Sequence, residues 1–285
     1  MTARRASVLA AAGRNELVVA GAVMLGIVVL IALLAPVLPF GDPFTINPLA
    51  RNAPMSWQHP FGADKLGRDL FARFAYGARL SLSICTLVAL ACLIVGTALG
   101  LLAGYYRGWV DIIISRIADT LMAFPSILLA LGIVAAFGAS MTNVIVTLSV
   151  VYMPRVLRVA RAPALAESRR DYVEAARACG ASDLRILVRH VLPNILAPVM
   201  VQATVVFAYA MVAEATLGFL GVGVPPPAPS WGNLLSEARA TLMTAPSQTI
   251  FPAIGLAFAV LGVNLLGDGL RDLLDPLMRR QGDAA

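Results

Sequence analysis

Apolar stretches alternate with short polar segments along almost the whole chain. Runs at residues 17–39, 80–103, 112–137, 141–157, 195–220 and 250–267 read as helices able to cross about 30 Å of hydrocarbon, which takes roughly 20 residues. The fourth run is the shortest. The first run follows Arg4, Arg5 and Arg14, exceeds the length of a signal-peptide core, and has no small-residue cleavage site after Leu38, so it reads as a retained span. The pattern predicts an all-α integral membrane protein with six transmembrane helices.

Cytoplasmic loops retain an excess of Lys and Arg, which orients the spans. With the N-terminus inside, 16 of the 22 basic residues fall on the cytoplasmic side, eight of them from Arg155 to Arg189, and six fall outside. The expected topology is N-in and C-in. It divides the chain into a cytoplasmic tail (1–16), a first span (17–39), an external segment (40–79), a five-helix core (80–267) and a second cytoplasmic tail (268–285). The core carries an internal loop at 155–193 and an external loop at 221–249. Within the latter, the run from Val224 to Gly232 reads V-P-P-P-A-P-S-W-G, and the fixed φ angles of its prolines predict a rigid cover. Pro226, Pro227 and Trp231 are candidates for contact with an external partner, and an interfacial anchor is the alternative for Trp231.

Composition supports the membrane reading. Hydrophobic residues make up 59% and charged residues 13% of the chain, against about 45–50% and about 25% in soluble domains. All but one of the basic residues are arginines, Lys65 being the exception, and they lie beside hydrophobic runs. That placement speaks against a nucleic-acid surface. Cys85 and Cys92 lie seven residues apart in one helix, about 10 Å by helical rise and too far for a disulfide. With Cys179 they read as small hydrophobes. His59 and His190 lack zinc-ligand spacing. No phosphate-binding loop and no hydrolase or metalloprotease motif occurs, so the sequence does not read as an enzyme.

A charged residue inside a span is costly and points to function by default. Glu214 is the clearest case, with two roles open: a carboxyl bonded within the bundle, or a contact on a translocation path. Asn264 reads as a polar group bonding between helices or on the same path. Asp119 and Asp268 lie nearer the cytoplasmic ends and read as interfacial.

The internal loop holds the most specific pattern. Apolar Val173, Ala176, Leu184, Leu187, Val188 and Val191 recur near helical spacing, predicting two amphipathic helices broken near Gly180, with Ser182 or Asp183 capping the second and Pro193 marking the turn into the fifth span. Glu174-Ala175-Ala176, then Gly180, then His190-Val191-Leu192-Pro193 resembles the E-A-A loop of binding-protein-dependent ABC importer permeases. His190 stands where that family usually has isoleucine, and peptide-type permeases share the R-H-x-L-P-N form. The segments from His59 to Asp69, Tyr76 to Leu82, Pro226 to Gly232 and Gly267 to Pro276 also resemble the C-type permease of dipeptide or oligopeptide importers.

The resemblance implies the type I ABC importer permease fold and a multi-pass place in the bacterial inner membrane. It implies that Glu174, Ala175, Ala176, Arg177, Gly180, Asp183, Leu192 and Pro193 dock a cytoplasmic ATPase. The implied partners are a homologous B-type permease, one or two ATPase subunits, an extracytoplasmic binding protein, a peptide cargo and membrane lipid. No cofactor is expected on this chain, ATP and magnesium belonging to the ATPases. The same machinery carrying nickel, haem or another small solute is the nearest rival. A secondary transporter using Glu214 as an ion site is the rival of another class.

Overall fold

Hydrocarbon offers no hydrogen bonds, so a chain crossing it must satisfy its backbone within each segment, and helices do so. The computed structural model describes residues 15–37 and 42–274, and its regular structure there is helical. The end of the expected first span and both tails lie wholly or largely outside the described residues.

Helix α1 (Glu16–Leu34) starts at Asn15, whose side chain accepts from the N–H groups of Leu17 and Val18 at 3.0 and 3.2 Å. Helix α2 (Leu70–Tyr106) is capped by Asp69, which accepts from the Ala72 N–H at 2.7 Å. A break then separates α3 (Gly108–Met122) from α4 (Ser126–Phe137). Ser140 caps α5 (Met141–Glu167), accepting from the Asn143 N–H at 3.0 Å. The short α6 (Asp171–Ala178) precedes α7 (Asp183–Phe219), α8 (Trp231–Ala238) and α9 (Ser247–Leu274). Asn, Asp and Ser are the residues that best replace the missing partners of a first turn.

Among the described residues, five of these helices are long and apolar enough to cross a membrane, and the number is six if the α3–α4 pair is counted as one span. The expected straight third span is bent by 91° between α3 and α4. Pro125 accounts for the break, because a proline disfavours helical geometry in the residue before it. Other boundaries also move. α2 starts at Leu70, ahead of the expected residue 80, and α5 continues past Leu157 to Glu167. Pro193 marks no turn, since α7 runs through it from Asp183. The helix absorbs the missing proline N–H with a π-turn at Leu187–Val191, where the Leu192 N–H bonds the Leu187 carbonyl. Most of the expected loop at 155–193 is therefore helix.

Packing between spans depends on small residues. Gly96, Gly100 and Gly104 recur every four residues on the face of α2 that meets α5. A Cβ on Gly100 would stand 2.6 Å from the Leu157 carbonyl oxygen, and one on Gly104 would stand 2.8 Å from the Ala164 Cβ. Backbones approach this closely only where a side chain is absent. α1 lies on α9 in the same manner, with Gly21 against Gly262.

Replacing Gly100 by Leu overfills the α2–α5 seam, at a cost of about 1–3 kcal/mol. The expected result is a lower thermal midpoint of the detergent-solubilised protein and reduced membrane abundance. Gly26→Leu, at an exposed glycine with open space around it, should leave both unchanged.

Candidate functional site

At the cytoplasmic end, α6 is anchored by apolar Val173 and Ala176 and by a polar lattice. Asp171 and Glu174 occupy its first turn and Arg177 its last, matching the helix dipole at both ends. Val173 is fully buried, while Glu174, Ala175 and Ala178 face out. The helix ends at Gly180, whose φ of +79° suits a residue without a side chain. There the Gly180 N–H bonds the Arg177 carbonyl and the Ala181 N–H bonds the Ala176 carbonyl, both at 3.0 Å. This is the Schellman arrangement, and Ala176 and Ala181 both pack against the core.

Tyr105, near the end of α2, joins α6 to α7. Its hydroxyl donates to the Asp183 carboxylate at 2.6 Å and accepts from the Arg177 guanidinium at 3.0 Å. That guanidinium also sits 5.5 Å from the centre of the Tyr105 ring. Next to these groups, Arg107 donates to the Ser168 hydroxyl at 2.9 Å, and Arg161 donates twice to Asp111, both at 2.5 Å. Glu174, Arg177 and Asp183 line a polar cleft of about 450 Å³ with Tyr105, Arg107 and Ser168. Outside the lattice, Leu184 is 72% and Val188 55% exposed. Glu174 of α6 is exposed as well. Leu192 and Pro193 stand further along, inside α7.

A second polar centre lies on the external side. Asp64, Arg68 and Arg73 are buried together with the partly buried Glu237 of α8. Arg68 donates to Asp64 at 2.6 Å and to Glu237 at 2.7 Å, and Arg73 donates to the same two carboxylates at 2.6 Å each. Two cations and two anions thus clamp the external segment to α2 and α8. His59 lies 2.8 Å from Asp69, the cap of α2. Burial alone would raise the Asp64 carboxyl, but the Arg68 backbone N–H and guanidinium, with the Leu66 N–H, hold it below the ordinary carboxylate range.

Trp231 is fully buried, which removes both readings expected for it. Its indole donates to the Phe74 carbonyl at 3.1 Å and stacks on the Phe74 ring, so it is a core residue joining α8 to α2. Pro226 and Pro227 are exposed. The loop around them is held from below, since the Asn233 side chain donates to the carbonyls of Val224 and Ala228 at 2.7 and 3.2 Å. Glu214 is also buried, accepting from the Ser81 hydroxyl at 3.0 Å. Ser81 in turn accepts from the Trp231 N–H at 3.3 Å. Of the two roles open for Glu214, this geometry is that of a bond within the bundle. Asn264 is exposed on α9 and faces away from the helices of this chain, so it does not bond between them.

Tyr105 and the Asp64–Arg68–Arg73–Glu237 cluster were not singled out by residue pattern. Glu237 lies 164 positions from Arg73 along the chain, and no local spacing announces that pair. The glycine stripe of α2 was readable as G-x-x-x-G-x-x-x-G.

A family described as binding-protein-dependent transport system inner membrane component matches residues 96–280. A peptide-transport permease of Brucella abortus is 48% identical over 92% of this chain and 88% of its own length. The dipeptide transport system permease protein DppC of Alkalihalophilus pseudofirmus is 44% identical over 93% of this chain and 88% of its own. The glutathione transport system permease protein GsiD of Pectobacterium atrosepticum is 45% identical, covering 78% of this chain and 73% of its own.

A carboxylate whose folded pKa is depressed contributes stability above its unfolded value, about 3.9, and loses it as pH falls through the folded value. Acidification below about pH 3.9 should therefore release the external segment. Hydrogen exchange of residues 52–69 is expected to accelerate sharply in that window. Asp64→Asn, which leaves two buried cations facing one carboxylate, should give exchange at least about tenfold faster already at pH 7 and a flatter acid response.

Proposed function

This chain belongs to the family of binding-protein-dependent transport system inner membrane components, and from that premise we propose how it works and what it carries. It is a multi-pass protein of the bacterial inner membrane, and its family is one of transport permeases. The cargo we propose is a dipeptide or short oligopeptide, in line with the names of its relatives for peptide, dipeptide and glutathione transport.

In this reading the chain supplies half of a translocation path, and a homologous, non-identical permease supplies the other half. An external binding protein delivers the cargo. One or two cytoplasmic ATPases bind ATP with magnesium and hydrolyse it. Glu174, Ala175, Leu184 and Val188 seat in a groove of an ATPase, and Leu192 and Pro193 serve to continue α7 rather than to dock. The observation that carries the reading is the mounting of α6: Glu174, Ala175 and Ala178 are exposed, while Val173 is buried, Arg177 bonds Tyr105 of α2 and the Tyr172 hydroxyl accepts from Asn194 of α7. A displacement of α6 has to pull on both spanning helices. Closure of the ATPases would thus reach the path without any chemistry in the permease.

A β-branched residue at the φ of Gly180 costs about 1–3 kcal/mol locally and disturbs the end of α6. In proteoliposomes containing both permeases, the ATPases and the binding protein, Gly180→Val is expected to cut ATP-driven dipeptide uptake at least about tenfold. The six spans should still insert, and basal hydrolysis by the isolated ATPases should be unchanged. Normal coupled uptake by the Gly180→Val, Glu174→Ala double variant would refute the mechanical role. Absence of ATP-dependent uptake of any di- or tripeptide by the wild-type assembly would refute the cargo.

A further inference from the structure

Three arginines, Arg155, Arg158 and Arg161, follow one another at intervals of three along α5. Arg161 is paired with Asp111, and Arg158 with Asp119 at 2.5 Å. Arg155 lies deepest in the span and has no carboxylate partner among the described residues. Its guanidinium carbon instead stands 4.3 Å from the centre of the Tyr209 ring and 5.3 Å from that of Tyr152. The two rings are stacked, with centroids 6.1 Å apart and planes within 16° of each other.

The depth of this group follows from helix geometry. Tyr209 is ten residues from Phe219 at the external end of α7, about 15 Å by helical rise and close to the middle of a hydrocarbon layer of about 30 Å. Side chains on a helix lean toward its N-terminus, which for α5 is the external end, and this brings the guanidinium of Arg155 up to the level of Tyr209. A cation at that depth does not face lipid tails; such residues face a bundle interior or a water-filled path. Tyr209 is 46% exposed and Arg155 only half-buried, so the group opens onto the surface of this chain. That surface is where the second half of the path would close.

We propose that Arg155, cradled by Tyr152 and Tyr209, is a carboxylate-binding site in the translocation path that takes the C-terminal carboxylate of the transported peptide. The inference rests on the peptide-cargo reading above. Aromatic faces hold a guanidinium through its own face and leave its in-plane N–H donors free, and those donors match the two oxygens of a carboxylate. The contrast along α5 points the same way. Arg158 and Arg161 are each paired with an acid of this chain, whereas Arg155 is held in place without one, as a transient anion requires. A site of this kind also has to release its ligand, which favours one carboxylate-sized contact over an enclosing pocket.

The test uses the complete assembly in proteoliposomes, with trialanine and trialanine amide each supplied at concentrations that saturate the binding protein. Wild type should take up the free acid at least about tenfold faster than the amide. Arg155→Gln should lower trialanine uptake to the rate of the amide, leaving the amide rate and co-purification of the two permeases unchanged. Arg155→Lys keeps the charge but loses the two-pronged geometry, and should raise the KM for trialanine several-fold with little change in kcat. Retention of the wild-type preference by Arg155→Gln, or an unchanged KM in Arg155→Lys, overturns the site. Loss of permease co-purification in Arg155→Gln, restored in full by Lys, would assign the arginine to an acid of the partner permease and also overturn it. Wild-type uptake of both peptides at equal rates overturns the site alone, while no uptake of either overturns the site and the peptide reading together.

Discussion

The absence of water in the hydrocarbon layer is the constraint from which the rest of this structure follows. A backbone that cannot bond to solvent bonds to itself, which makes the spans helices. Lipid tails are as apolar as the side chains of those helices, so burial of apolar surface does little to hold one span against another. Close backbone approach replaces it: Gly96, Gly100 and Gly104 of α2 lie against α5 and Gly21 lies against Gly262. Polar groups are then paired within the bundle, as Glu214 is with Ser81, or gathered at the two ends. Arg155 stands apart because it is neither paired with an acid nor placed at an end.

The two ends are held by different means. Outside, a neutral cluster of two arginines and two acids fastens the segment before α2 to α8, and the Trp231 indole fastens α8 to α2. A buried ion pair contributes little net stability but is costly to break on one side, so such a cluster defines one arrangement more than it strengthens it. Inside, Tyr105 links α2, α6 and α7 through single hydrogen bonds that can be kept while the helices move together. The rigid external cover and the jointed internal mount suit a protein that is pushed from one side and receives cargo at the other.

Much of this was legible in the sequence, and the failures have physical causes. The spans were legible because an apolar run of bilayer length seldom folds as anything but a spanning helix. Their inner ends were not, because a helix can become polar without stopping: arginines at 155 and 185 read as loop, although Arg155 still lies within the span. The bend before Ser126 was present in the Phe124-Pro125 pair, yet the unbroken apolar run around it masked the signal. The break at Gly180 was legible because a positive φ calls for glycine, but Trp231 was misread because a tryptophan beside prolines looks interfacial until its neighbours are known. Tyr105 offered no local clue; its partners Arg177 and Asp183 are 72 and 78 residues away.

Whether α6 presents its outer face to a cytoplasmic ATPase can be measured at Cys179. It is the exposed cysteine immediately after α6, while Cys85 and Cys92 are buried in α2. A membrane-impermeant maleimide should label Cys179 in inverted vesicles holding the permeases alone and leave it unlabelled in vesicles with the external face outward. Adding the cognate ATPase should slow labelling in the inverted vesicles by at least about tenfold. Labelling from the external face, or an unchanged rate in a complex shown to contain the ATPase, would rule out docking at the outer face of α6.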